Sequence, residues 1–192
     1  MKKITYLIAL LSISINLHSQ IRKKGDFEIT PKVGMSSSRY YVSGNPSSSL
    51  TSINYGINAD YYLSKSWSIK SGILYQKMGG KSNDQNFEIN YLNLPLNANW
   101  HFGATRKWNL NFGFTQSFKI SDSENQNILG IKVNNNQNGL NVGIGYKIEI
   151  SKNTGILLDY QFFSGLTNIA EDDIYEIKNK VGNINIGIVV KL

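Results

Sequence analysis

From Asp26 onward, apolar and polar residues alternate with a period of two. That is the signature of strands with one face buried, since successive side chains of a strand point to opposite faces. Ile53, Tyr55, Ile57, Ala59, Tyr61 and Leu63 alternate with Asn54, Gly56, Asn58, Asp60 and Tyr62. Trp108, Leu110, Phe112 and Phe114 alternate with Asn109, Asn111, Gly113 and Thr115. A helix would bring Lys147 and Glu149 onto its apolar side, whereas a strand separates them from Ile144, Tyr146, Ile148 and Ile150. Eight such runs are predicted, at about 27–35, 53–63, 67–78, 88–102, 108–120, 139–150, 154–166 and 181–192. Most reach the roughly 9–11 residues that a tilted strand needs to cross a bilayer.

The fourth run changes phase. Ile89 and Tyr91 are apolar at odd positions, and Leu92, Leu94, Leu96, Ala98, Trp100 and Phe102 at even ones. One extra residue near Tyr91–Leu92 would restore the pattern, so a β-bulge is expected there, close to Pro95.

The connections alternate in length. Those at 36–52, 79–87, 121–138 and 167–180 are long; Ser64–Ser66, Gly103–Lys107 and Ser151–Asn153 are short. Four long and three short connections between eight strands fit an antiparallel up-and-down transmembrane β-barrel, with long loops outside and tight turns in the periplasm. A soluble lipocalin-like barrel also has eight strands, with its apolar face inward. Two features argue against it. The polar face is rich in small residues (Gly34, Gly56, Gly72, Gly113, Gly143), which suits a crowded lumen. The apolar face carries Trp67, Trp100 and Trp108 at the short-turn ends of their strands, as an aromatic membrane girdle would. Tyr61 extends that girdle, and Tyr40, Tyr41, Tyr75 and Phe162 are candidates for the opposite one.

Composition sharpens the picture. Only 17% of residues are charged, with 17 Gly and 11 Tyr, which suits a sheet facing lipid. Cysteine is absent, excluding disulfides and thiolate metal sites. Lys2 and Lys3 precede an apolar stretch from Ile4 to Leu17, which is too short to span a bilayer comfortably and reads as a signal peptide, residues 1–19, cleaved after Ser19. Its removal lowers the formal charge from +7 to +5 and leaves residues 20–192 as one barrel domain with both termini periplasmic. No later segment has the apolar length of a transmembrane helix.

The stretch Tyr91-Leu92-Asn93-Leu94-Pro95-Leu96, with Phe112-Gly113-Phe114 and Gly139-Leu140-Asn141-Val142-Gly143 after it, resembles the PorT-like outer-membrane β-barrel family of Bacteroidetes. Asn93 stands where that family usually has an acid, and the chain ends on Leu192 where many outer-membrane barrels end in an aromatic. The resemblance implies a Gram-negative outer-membrane barrel; one branch of the family is associated with type IX secretion.

Little in the sequence suggests catalysis. The mature chain has one histidine, His101, beside a short turn rather than at the outer rim where barrel lipid-modifying enzymes and proteases work. Glu171, Asp172, Asp173 and Glu176 are acidic neighbours, but their spacing fits no defined calcium loop. Gly143-Ile144-Gly145 is followed by no helix, so no dinucleotide site is expected. No catalytic residue, cofactor or metal is assigned, and the basic residues lack the aromatic interleaving of a nucleic-acid surface. Glu28, Lys32, Asp60, Lys70, Lys119, Lys147, Glu149, Asp159 and Lys191 fall on the lumen face and are expected to satisfy one another. An eight-stranded interior is filled by its own side chains, which favours a non-enzymatic barrel displaying loops to a partner over a narrow porin-like ion or solute channel.

The long loops hold Arg39, Lys81, Lys132, Lys178 and Lys180 against Asp84, Glu88, Asp122, Glu124, Glu171, Asp172, Asp173 and Glu176. The N-terminal segment and short turns hold Arg22, Lys23, Lys24, Lys65, Arg106, Lys107 and Lys152 against Asp26 alone. Lys65, Arg106, Lys107 and Lys152 are therefore expected to lie on the periplasmic rim near anionic lipid, each contributing on the order of 1 kcal/mol. The expected partners are outer-membrane lipids, the barrel assembly machinery and a loop-binding partner.

Overall fold

A computed structural model describes residues 22–82, 85–122, 132–171 and 174–192. The expected signal peptide lies outside the described residues. Eight long strands form the wall: β1 (Phe27–Val42), β2 (Leu50–Tyr62), β3 (Trp67–Ser82), β4 (Gln85–Phe102), β5 (Trp108–Asp122), β6 (Asn136–Glu149), β7 (Thr154–Gly165) and β8 (Ile177–Lys191). Each pairs antiparallel with its sequence neighbours. β1 and β8 pair from Glu28–Lys191 to Val42–Ile177, which closes the sheet into an up-and-down barrel. Closure removes the free sheet edges that hydrocarbon would penalise.

The barrel has a turn end and a loop end. At the turn end, Leu63 N–H donates to Trp67 O at 2.9 Å and Ile150 N–H to Thr154 O at 3.0 Å, closing the short connections tightly. At the loop end the strands run further than the alternation predicts. β1 continues past Met35 to Val42, turns through Ser43 (φ 47°) and Gly44 (φ 90°), and returns along the short arm Asn45–Pro46. Two consecutive positive φ values define the two-residue turn that matches strand twist. The expected loops at 36–52 and 79–87 are thus largely strand.

The side chains are arranged inside out along most of the wall. Outward-facing Ile184 is 70% exposed, Ile53 64% and Leu96 61%, while inward-facing Glu28, Asn99 and Asn111 are fully buried. So wide an apolar band would be an aggregation hazard in water and is what a bilayer requires. Near the loop end the arrangement inverts. Beyond Met35, β1 turns Ser37 and Arg39 outward and Tyr40 inward. Beyond Leu94, β4 turns Asn90 and Glu88 outward and buries Tyr91, Ile89 and Phe87.

This inversion corrects the expected bulge. The odd residues of β4 face inward without interruption from Phe87 to His101. The apolar phase changes because the lumen changes chemistry, not because the strand changes face. A register shift does fall at Asn90/Tyr91, but the extra residue is on β5: Asn90 pairs with Ser121 and Tyr91 with Lys119, leaving Ile120 between them. The ladder to β3 breaks beside Pro95, between Ser71–Leu96 and Leu74–Asn93, because proline has no N–H to give.

Candidate functional site

The lumen is filled at three levels, each with its own chemistry. The turn end holds a buried ionic cluster. Arg22 precedes β1 and reaches into the mouth of the barrel, donating from Nε to Glu28 Oε1 at 2.7 Å and from Nη1 to Glu149. Lys147 donates to Glu28 and, at 2.7 Å, to Tyr62 Oη. Lys107 Nζ lies 4.0 Å from Glu149. Each carboxylate therefore has two cationic neighbours, the condition under which buried charge is tolerated. Burial disfavours the Arg22 charge, but its neighbours, Glu28 foremost and Glu149 with it, together outweigh that and raise the guanidinium pKa. Outside the mouth, burial pushes the Asp26 carboxyl up. The Lys191 ammonium at 2.6 Å and the Lys23 N–H outweigh that and hold it below its ordinary value.

Above this cluster, Tyr62 stacks on His101 with centroids 4.8 Å apart. Ser68 Oγ donates to Asp60 at 2.8 Å and lies 2.9 Å from His101 Nε2, while Asn99 also donates to Asp60. The hydroxyl proton is directed at the carboxylate, so Nε2 carries a hydrogen toward Ser68. A nucleophilic serine needs the reverse, with its proton facing the imidazole. Lys70 pairs in register with Asp60, and Lys32 lies 3.8 Å from Asp159.

The middle level is an amide network. Asn93 donates to Gln76 at 2.8 Å, Gln76 to Asn183 at 2.6 Å, Asn141 to Asn97 at 2.7 Å and Thr115 to Asn141 at 2.8 Å. A cavity of about 50 Å³ remains among Lys32, Lys70, Asn97 and Gln161, room for a water or two. Small residues are needed to close the wall this tightly: a Cβ on Gly113 would lie 2.1 Å from Leu96 O.

The loop end is sealed by an apolar core of Tyr40, Met78, Phe87, Ile89, Tyr91, Phe163, Ile177 and Val181, capped by Val133, Ile169 and Ala170. Tyr40 meets Phe87 edge to face at 5.9 Å. Val133 bridges Ala170, and Asn134 donates from its side chain to Ala170 O at 2.9 Å, so the arms around 132–134 and 168–171 close over the opening.

Glu28, Lys32, Asp60, Lys70, Lys147, Glu149 and Asp159 are buried in the lumen. Lys119 faces the loop end and donates to Val133 O. Trp67, Trp100 and Trp108 face outward in one chain of aromatic contacts with Phe102 and Tyr146, at centroid separations from 4.8 to 6.5 Å, the longest from Trp67 to Phe112. Tyr61 and Phe162 are exposed, and Tyr75 stacks on Tyr55 at 4.9 Å. Tyr40 is a correction: it faces inward, since even positions of β1 line the lumen. Lys107 is another. It is buried beside Glu149 rather than set on the rim, whereas Lys65 and Lys152 are exposed. Arg22, read as a tail charge, is buried too; no local pattern distinguishes it from Lys23 and Lys24. In the family-like motif, Tyr91 belongs to the apolar seal, Asn93 to the amide network, and Leu94 and Leu96 to the outer wall. Glu171 and Glu176 are exposed; Asp172 and Asp173 lie outside the described residues. Among the described residues no group of acids and histidines is placed to hold a metal.

A closed antiparallel barrel with an apolar outer wall and a polar, filled lumen defines an integral outer-membrane β-barrel protein. The family model described as outer membrane protein beta-barrel domain matches residues 5–191, and the chain belongs to that family. Solved structures share the fold at low identity. OprG of Pseudomonas aeruginosa is 14% identical with a TM-score of 0.56, over 89% of this chain and 97% of that one. The N-terminal barrel of P. aeruginosa OprF is 14% identical with a TM-score of 0.54, over 89% and 100%. Neisserial surface protein A is 15% identical with a TM-score of 0.55, over 86% and 97%. No curated protein matches the sequence.

Proposed function

We propose that this outer-membrane barrel is a closed, non-enzymatic scaffold that holds a folded platform at its loop end, for a structural or interaction role. The observation that carries the reading is the filling of the lumen at all three levels. An ion crossing it would have to displace Arg22 from Glu28 and Glu149, thread the amide network and pass the apolar seal. Arg22 and Leu192 lie at the turn end, which faces the periplasm in this reading, and residues 1–19 serve as a cleaved export signal. The aromatic chain through Trp67, Trp100 and Trp108 forms the girdle at that interface. His101 and Ser68 serve the lumen network and not catalysis. The motif Tyr91–Leu96 is accounted for by its part in the seal, network and wall, and nothing in that part calls for a secretion partner. The test is single-channel recording in planar bilayers: the closed scaffold gives no sustained openings, and stable ion-selective openings would replace it with the narrow-channel reading.

A further inference from the structure

Arg39 and Lys180 are directly opposite each other on β1 and β8, and both side chains are exposed on the outer wall. Like charges in register destabilise a strand pair. Among the described residues neither makes an ion pair. Lys178, two residues away, is held by Glu176 at 2.5 Å, and Lys180 Nζ sits 4.4 Å from the centroid of the Tyr41 ring.

The level of this pair on the wall is what gives it meaning. Going toward the turn end, the next outward pair is Ser37–Gly182 and the one after is Met35–Ile184, the latter two 63% and 70% exposed. The two cations thus stand one small-residue step above the last apolar pair. Below them the same two strands, with Ile53 of β2 and Leu158 of β7, line an open apolar groove of about 360 Å³ walled by Val33, Met35, Ile184 and Ile186. Val33 and Ile186 also line a second groove of about 980 Å³ that reaches Phe27 and Ile188 near the turn end and spreads across β2 and β3 to Ile57 and Ile73. An apolar trough therefore crosses the β1–β8 seam just beneath two cations that form no ion pair among the described residues.

We propose that this seam binds a phosphorylated, multi-acylated lipid of the loop-side leaflet, with an acyl chain in the groove and a headgroup phosphate between Arg39 and Lys180. The inference rests on the outer-membrane reading of the barrel. The phosphate supplies the counter-charge the pair lacks, and arginine offers it two N–H donors in a fork. The Tyr41 ring positions the Lys180 ammonium beside that phosphate.

The test uses the full mature chain in phosphatidylcholine nanodiscs doped with diphosphoryl lipid A or the same lipid stripped of its phosphates, and counts retained lipid by native mass spectrometry. The wild type should retain the phosphorylated lipid about thirtyfold more than the stripped one, as expected from two cations at the surface. Arg39→Gln/Lys180→Gln should erase that preference, and Lys65→Gln at the other end should keep it. Equal retention of both lipids by the wild type, or an undiminished preference in the double variant, would overturn the site. So would competition by glucosamine 1-phosphate, which has no acyl chain for the groove. Heat-dependent gel migration of each sample reads the barrel separately: a wild type that never enters the discs folded overturns the membrane reading itself.

Discussion

The turn-side two-thirds of the barrel and its loop end are made by the same eight strands, yet they are built on opposite rules. Toward the turn end, the outward residues are Ile57, Ile73, Leu96 and Ile186, and the inward ones are Glu28, Asp60, Asn97 and Lys147. At the loop end, Arg39, Lys81 and Lys180 face out, and Tyr40, Met78, Ile89 and Val181 face in. The backbone is indifferent to the change, since its hydrogen bonds are satisfied by the ladder in either case. What differs is the solvent each outer face must meet. The first region is ordered by lipid outside and by charge pairing inside; the second is ordered as a small water-soluble core. The bilayer boundary is therefore written into the side chains at the level where the two rules exchange. Ile120 is an exception: it is 56% exposed at that level on β5, and it is the residue left without a partner by the register shift.

Substitutions should perturb the two regions separately. Glu28→Ala should cost most, about 3–5 kcal/mol, because it strips Arg22 and Lys147 of their shared carboxylate in a buried site. Urea unfolding of the barrel in lipid vesicles, followed by the gel shift of the folded form, measures it. Ile89→Ala, in the loop-end core, should cost about 2–5 kcal/mol. Limited proteolysis of that variant should cut the arms near 132–134 and 168–171 before the rest of the barrel opens. A matched pair sharpens the contrast on the outer wall. Ile57→Arg should cost about 2–4 kcal/mol in a bilayer, while Thr51→Lys, six residues away on the same strand and also outward, should stay within about 0.5 kcal/mol.

The smallest effect is a pH dependence at the termini. Asp26 has a lowered pKa in the folded chain, so its bond to Lys191 contributes fully at neutral pH. That contribution fades as the pH falls below the ordinary carboxylate value and through the lowered one. Asp26→Asn should remove this acid sensitivity by lowering the neutral-pH unfolding midpoint slightly, while leaving the midpoint in acid nearly unchanged.

The barrel was legible in the sequence wherever the two faces of a strand differ in polarity. Trp108–Thr115 and Leu140–Ile150 alternate because lipid and lumen demand opposite chemistry, and the strand positions follow directly. The extensions were not legible. Ser36, Ser37 and Ser38 are polar on both faces, so alternation vanishes although the ladder continues. Ile89 and Tyr91 did carry a signal, but a change of lumen chemistry and a bulge in the same strand leave identical traces in one sequence. The lumen charges could be named from their face alone. Their partners could not, since Arg22 meets Glu149 across a separation of 127 residues that only barrel closure sets.

Spin-label accessibility reads this exchange of rules level by level along the wall. The chain has no cysteine, so single cysteines can be placed on outward positions of β1 and β8 without background. Labels at Val33, Met35, Ile184 and Ile186 should collide with oxygen dissolved in lipid and be shielded from a water-soluble nickel chelate. Labels at Arg39, Lys178 and Lys180 should show the reverse, with the crossover at Ser37 and Gly182. A crossover displaced to the loop tips, or nickel access all along both strands, would contradict the account.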